Sequence, residues 1–213
     1  MEKLSKREIE KQEKEKQIIN CAENLFFSKG YENTSMNELA EKCGYTKRTI
    51  YKYFTCKGDI FYAVLFKSYS MLLSVINKKI DNNKTGFEKI NSLFLSFNNY
   101  SSNNPHIIKL MSMGHDLKMK DDSAQMPYKE KFQKINKQLF DKIYSLFKEG
   151  QSDGSITDKY DSSKLALASV FSMTGFYLIL SSSGEPFAKA FNLDFSEFVD
   201  FSINLLTSSF KNS

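Results

Sequence analysis

Between Met36 and Thr55 the chain reads MNELAEKCGYTKRTIYKYFT, and no other stretch restricts the backbone as tightly. A small residue, Ala40, is followed four positions later by Gly44, and Ile50 comes about a turn and a half of helix after that. Two short helices that cross at a tight turn need these residue types at these offsets. Ala40 permits close approach, Gly44 accepts positive φ without steric cost, and Ile50 closes the apolar seam with Leu39. The pattern predicts a helix-turn-helix. Thr46 is placed to cap the second helix, its hydroxyl accepting from the backbone N–H of Thr49, and that helix is expected to span about 46–53.

On a 3.6-residue period Ile50 and Phe54 face inward, while Lys47 with Tyr51 and Arg48 with Lys52 form two i, i+4 pairs on the outward side. From Lys42 to Lys57 the basic residues are Lys42, Lys47, Arg48, Lys52 and Lys57, and no Asp or Glu interrupts them. A charge run alone reads as the solvated face of an ordinary αα-hairpin. Coincident with Ala40, Gly44 and Ile50, it points to phosphate, and so to DNA.

From Ile18 to Phe61 the chain resembles the N-terminal three-helix domain of the TetR family of bacterial one-component transcriptional regulators. The resemblance rests on Ala22, Leu25, Phe26, Gly30, Tyr31, Thr34, Leu39, Ala40 and Gly44, and continues through Thr49, Ile50, Tyr51, Tyr53, Phe54, Lys57 and Ile60. It implies that the helix from Lys47 lies in the major groove. It also implies phosphate contacts from Tyr51, from Lys57 and from Thr34 or Ser35, which begin the preceding helix. The candidate DNA-contacting residues are therefore Thr34, Ser35, Thr46, Lys47, Arg48, Thr49, Tyr51, Lys52, Tyr53 and Lys57.

Three positions depart from the family pattern. Arg48 stands where a small residue is usual, which places a guanidinium at a base edge with guanine as the expected partner. Cys56 replaces a serine that caps the fourth helix, and Gly58 replaces a common acidic residue. Either Thr55 serves as cap or the helix start is weakened, by about 1 kcal/mol. A thiol at a helix N-terminus beside Lys57 has its thiolate favoured, so Cys56 is a candidate redox handle; the plainer reading is a tolerated serine replacement. Cys21 and Cys43 read as small core residues, and three cysteines without a CxxC spacing indicate neither a disulfide framework nor a metal site.

The 213 residues are 41% hydrophobic, enough for one or two domains with a real core. With three prolines, nine glycines and little strand-like alternation, the chain reads as all-α. A net charge of +5 is mild, so the electrostatic case rests on the local basic cluster. The mixed Lys/Glu start lacks the apolar core of a signal peptide, which predicts a cytoplasmic location. Leu165 to Gly184 is uncharged, but its apolar part ends at Leu180, short of the roughly 20 residues a bilayer needs, so a buried helix and no membrane partner are expected.

The expected organisation is a DNA-binding domain over 1–58 and a helical effector-binding and dimerisation domain over 59–213. Helices are expected at about 8–29, 57–80, 87–101, 105–119, 125–149, 162–182 and 194–210, with a hinge at Asn82 to Gly86. The resemblance implies that the last two long helices pair with their copies in a homodimer and that the helices before them enclose an effector pocket. Leu165, Ala168, Ser169, Ser172, Gly175 and Phe176, with Phe195, Phe198, Val199, Leu205 and Leu206, supply small or apolar groups for that interface, although a monomer core uses the same types. A dimer places two recognition helices about 34–36 Å apart on a palindromic operator.

Candidates for the lining of a largely apolar effector site are Phe94, Phe97, Tyr100, Met111, Met113, His115, Tyr128, Phe132, Phe171 and Tyr177. The same residues at helical spacing also make an ordinary core. His106 and His115, nine apart, face opposite sides of a straight helix and make poor joint metal ligands. No phosphate-binding glycine loop, HExxH or nucleophile elbow is present, so neither an enzyme nor a cofactor is expected. The expected function is a regulator, commonly a repressor, released from its operator by a small molecule. The alternative is an architectural or partner-controlled DNA-binding protein without such a ligand.

Overall fold

The structure is a computed structural model describing residues 5–104, 107–111 and 125–212. Among the described residues the regular structure is helical, apart from one isolated antiparallel bridge between Ile156 and Lys211, so the all-α expectation holds. The first helix, α1 (Lys6–Lys29), starts at a reciprocal capping box. Ser5 Oγ accepts from Glu8 N, and the Glu8 carboxylate accepts from Ser5 N at 2.8 Å. Ile18, Ala22 and Phe26, four apart, form its fully buried stripe. It stops at Gly30, whose φ of 84° is the left-handed region that spares only glycine a Cβ clash.

Next come α2 (Met36–Lys42), α3 (Lys47–Ile50) and α4 (Lys57–Lys79). The remaining helices are α5 (Gly86–Asn103), a helical segment at 107–111, α6 (Pro127–Ser152), α7 (Ser162–Ile179), α8 (Glu185–Ala190) and α9 (Phe195–Ser208). Thr85, Asp161 and Asp194 cap α5, α7 and α9 by accepting from first-turn N–H groups. The expected hinge at 82–86 is a short turn closed by the Thr85 cap.

Two compact units divide these elements, one holding the described residues of Met1–Ser68 and Met113–Ile135, the other those of Tyr69–Ser112 and Asn136–Ser213. In the first unit the rings of Phe26, Tyr31 and Phe61 pack with centroids 5.2–5.6 Å apart. Ile60, Ala63, Val64 and Leu65 of α4 complete its centre at 0–1% exposure.

The second unit is organised around Phe210, whose ring meets Phe94 and Phe147. Thr157 N donates to Phe210 O at 3.0 Å, fastening the end of the chain beside the turn after α6. Lys89 and Glu149 pair between α5 and α6, with Lys89 almost wholly buried. At the same crossing Gly86 and Gly150 meet backbone to backbone. A Cβ on Gly86 would lie 2.2 Å from Gly150 N, which no rotamer change relieves. Gly86→Ala is therefore expected to cost about 1–3 kcal/mol as α5 is pushed off α6. Urea unfolding followed by circular dichroism reads this directly, and an unchanged midpoint would show the crossing to be looser.

Two expectations about the C-terminal helices change. A single helix over 162–182 becomes α7, a π turn at Leu180–Gly184 and then α8. Pro186 has no N–H to give, and the wider π register carries the helix past that missing donor. The uncharged stretch is also not a buried helix. Leu167, Phe171, Leu178 and Ile179 are 39–65% exposed, and along Ser162–Ala190 only 28% of the most apolar window is buried. By length and composition alone that segment, like α4, is long enough to cross a membrane, a test that core helices of soluble proteins also pass.

Candidate nucleic-acid interface

The turn between α2 and α3 follows from local chemistry. Ser35 caps α2 by accepting from Glu38 N at 3.2 Å, and Ala40 and Leu39 are buried where the helices meet. Gly44 has φ of 71°, as its place in the motif requires. Tyr45 N closes the turn onto Ala40 O at 2.9 Å, and the Tyr45 hydroxyl reaches back to Gln17 Oε1 of α1 at 2.6 Å. Thr46 caps α3, accepting from Thr49 N at 3.1 Å. Regular α-helix ends at Ile50, earlier than the expected Tyr53. Lys52 N and Tyr53 N donate three residues back, to Thr49 O and Ile50 O, so the last turn tightens.

Ile50 and Phe54 are buried at 0–1% and anchor this short helix. Lys42, Lys47, Arg48 and Lys52 are exposed, and none has a side-chain hydrogen bond or ion pair among the described residues. Tyr51 is 50% exposed. Thr46 and Ser35 are exposed too, with Thr49 and Tyr53 half-buried at the edge of the face. The result is a cationic, hydroxyl-bearing surface carried on a rigid turn, suited to phosphate and base edges.

Two expected contact residues turn inward. Thr34 is 1% exposed and its hydroxyl donates to Gly30 O at 2.8 Å, leaving Ser35 as the available hydroxyl at the start of α2. The Lys57 ammonium donates to Tyr31 O at 2.8 Å and Thr34 O at 2.9 Å and lies 4.1 Å from the Tyr31 ring centroid. It clamps the carbonyls that follow α1. Desolvation moves its pKa below the ordinary lysine range, with the Glu32 carboxylate opposing.

Asp59, which the sequence pattern does not single out, has a structural role in the head. It is fully buried, with one carboxylate oxygen accepting from Thr55 N at 3.2 Å and the other from Tyr128 N at 2.8 Å. Asp59 secures both the entry to α4 and the first turn of α6. Thr55 takes part through its backbone N–H, which donates to the Asp59 carboxylate. Cys56 is half-buried, with Thr55 Oγ1 3.9 Å from its sulfur.

Cys21 and Cys43 also differ from expectation. They are half-buried and joined as a disulfide between α1 and the C-cap of α2, with Cα atoms 5.7 Å apart. Their spacing of 22 residues resembles no short motif, and only the packing of α2 on α1 brings them together.

The effector candidates divide between the units. In the first, Tyr128 meets Phe54 and Phe66, and Phe132 meets Tyr62. Burial, together with the Glu15 carboxylate, raises the Tyr128 hydroxyl pKa. In the second, Phe94, Tyr100, Met111 and Tyr177 are 3–9% exposed; Phe97 packs edge-on against Tyr177, whose hydroxyl bonds Asn98. Phe171 is 65% exposed and does not line an interior. Met113, His115 and His106 lie outside the described residues. Two polar groups on α5 were missed, Asn91 Oδ1 and Ser101 Oγ. Both atoms are buried, and neither has a hydrogen-bond partner among the described residues.

Residues 18–64 match the model of the bacterial regulatory proteins of the tetR family. An uncharacterised HTH-type transcriptional regulator of Bacillus subtilis, YuxN, is 37% identical over 81 residues, 36% of this chain and only 28% of that protein. The nucleoid occlusion factor SlmA of Yersinia pseudotuberculosis is 24% identical over 137 residues, 64% of this chain and 69% of SlmA. Among solved structures, the transcriptional regulator FadR of Bacillus subtilis, in complex with stearoyl-CoA, superimposes with a TM-score of 0.69. That match covers 91% of this chain and 97% of FadR at 16% identity, a likeness of fold.

Proposed function

Since residues 18–64 match the model of the tetR family of bacterial regulatory proteins, we propose that this chain is a DNA-binding transcriptional regulator that acts as a cytoplasmic homodimer on a palindromic operator and is released by a small-molecule effector. The observation that carries the reading is the unpaired cationic face of α3, held by the Thr46 cap and the buried Ile50. Lys47, Arg48, Tyr51 and Lys52 contact the duplex. Arg48 reads a base, Tyr51 and Ser35 hold phosphates, and Lys57 supports the turn from behind.

The exposed apolar surfaces of α7 and α9 supply the dimer contact. Leu167, Phe171 and Leu178 fall along one side of α7, and Phe201 with Leu205, four apart, along one side of α9. For release, the effector must bind the DNA-competent and incompetent states unequally. Asn91 and Ser101 on α5 are the natural polar anchors for a largely apolar ligand, because an unmet buried acceptor or hydroxyl costs about 1–3 kcal/mol until something bonds it. Saturated acyl-CoAs are suitable first probes. The burial of Phe94, Tyr100 and Tyr177 and the edge-on packing of Phe97 on Tyr177 favour the second reading, a DNA-binding protein with no small-molecule ligand.

Fluorescence anisotropy with duplexes covering its own upstream region, against excess nonspecific competitor and a salt series, tests the function. Competitor-resistant binding with two protomers per site is expected. Arg48→Ala is expected to cost about 1–3 kcal/mol at one base position while leaving the others alone. Lys47→Ala should instead weaken binding to all sequences and flatten the salt slope by about one. An Arg48→Ala protein with unaltered base preference would remove the base-reading role.

A further inference from the structure

We propose that Cys21 and Cys43 form a reversible oxidative lock on the DNA-binding head, and that the crosslinked form holds DNA more tightly than the dithiol. The inference rests on the DNA-binding reading above. Cys21 lies in α1 beside the buried Ala22, whereas Cys43 ends α2 immediately before Gly44, the residue that turns the chain into α3. A bond between the two sulfurs therefore ties the recognition turn to the first helix. Without it, the side-chain ties on the same side of the head are the Tyr45 hydroxyl on Gln17 Oε1 and, at the other end of α2, the Lys29–Glu38 ion pair, both exposed polar contacts and neither of them covalent.

Both cysteines are only half-buried, which leaves the pair within reach of small oxidants and thiol reductants. A protein that acts on bacterial DNA works among reduced thiols, where a disulfide is commonly transient and redox-sensing. This shifts the redox role from Cys56, which has no second cysteine bonded to it, to the pair that does.

The oxidant is a hydroperoxide. A thiolate of the pair attacks the peroxide, its O–O bond breaks, and hydroxide or alkoxide leaves as the sulfenic acid forms. The second thiolate attacks the sulfenic sulfur, the S–S bond forms, and the S–O bond breaks with loss of hydroxide, which is protonated to water. The pair loses two electrons and the peroxide gains them. An external dithiol reverses the reaction through a mixed disulfide. The lock acts by preorganisation: a head already held in its bound geometry loses less freedom on binding.

The test uses the full chain with Cys56→Ser, so that the pair alone remains. After dithiothreitol treatment and its removal, N-ethylmaleimide should add twice. After stoichiometric hydrogen peroxide it should add nowhere, and dithiothreitol should restore both sites. Hydrogen exchange at the amides of 40–50 should be slower in the oxidised protein, and anisotropy on the best upstream duplex should show about threefold or greater tightening. Thiols that remain alkylable after peroxide overturn the lock, as do exchange rates and DNA affinity that match in the two states. A protein that binds no duplex in either state sinks the regulator reading, and the exchange comparison then decides the lock on its own.

Discussion

A double substitution of Phe171→Glu and Leu205→Glu is expected to give a folded monomer that binds its operator about a hundredfold or more weakly than the parent. Phe171 is 65% exposed and Leu205 63%, so neither carboxylate enters the core, and helix content and unfolding midpoint should barely move. In a face-to-face assembly the same carboxylates meet apolar surface and their own symmetry copies. Burying unpaired like charges there costs several kcal/mol, more than a typical interface holds in reserve. A lone head has one short helix on one half-site and loses the second set of phosphate and base contacts. Sedimentation velocity gives the oligomeric state and anisotropy the affinity. A dimer that survives both charges would place the interface elsewhere, and a monomer with full affinity would break the link between pairing and binding.

Asp59→Ala should be the most damaging single substitution in the head. Its carboxylate is fully buried and accepts from both Thr55 N and Tyr128 N. Truncation leaves two backbone N–H groups without that partner, each worth about 1–3 kcal/mol when buried, so a loss of about 2–4 kcal/mol is expected. The effect should reach DNA binding as well, because the entry to α4 directly follows Phe54, which anchors the end of the recognition segment. Guanidinium unfolding and operator anisotropy on the same preparation measure both. A loss below about 0.5 kcal/mol would mean that water or another group takes over the two donors. Asp59→Asn is a useful companion: it keeps the volume but has one acceptor oxygen for two donors.

The helix-turn-helix is legible in the sequence because neighbouring residues impose its geometry. Ala40, Gly44, Thr46 and Ile50 act over a few residues, and the buried pair, the positive φ and the Thr46 cap all follow from their identities. The starts of α5, α7 and α9 were legible within one or two residues because Thr85, Asp161 and Asp194 are short-range caps. The end of α3 was not, since tightening to a three-residue hydrogen-bond register is a small local choice without a residue signal. The π turn before Pro186 could have been suspected from the missing N–H, although not its position.

By itself the sequence determined the motif, its turn, its outward cations and an all-helical chain, because each depends on φ preferences, capping and periodicity within one or two helical turns. Tertiary structure decided which polar groups of the head stay outside. Lys57 and Thr34 look as available in the sequence as Lys52 and Ser35, yet the packing of α4 against the end of α1 turns them toward backbone carbonyls. It also brought Asp59 to Tyr128 across 69 residues and Cys21 to Cys43 across 22. The apolar residues of α7 that read as core were left half outside, since burial depends on what packs against a helix and the sequence of one helix does not specify its neighbours.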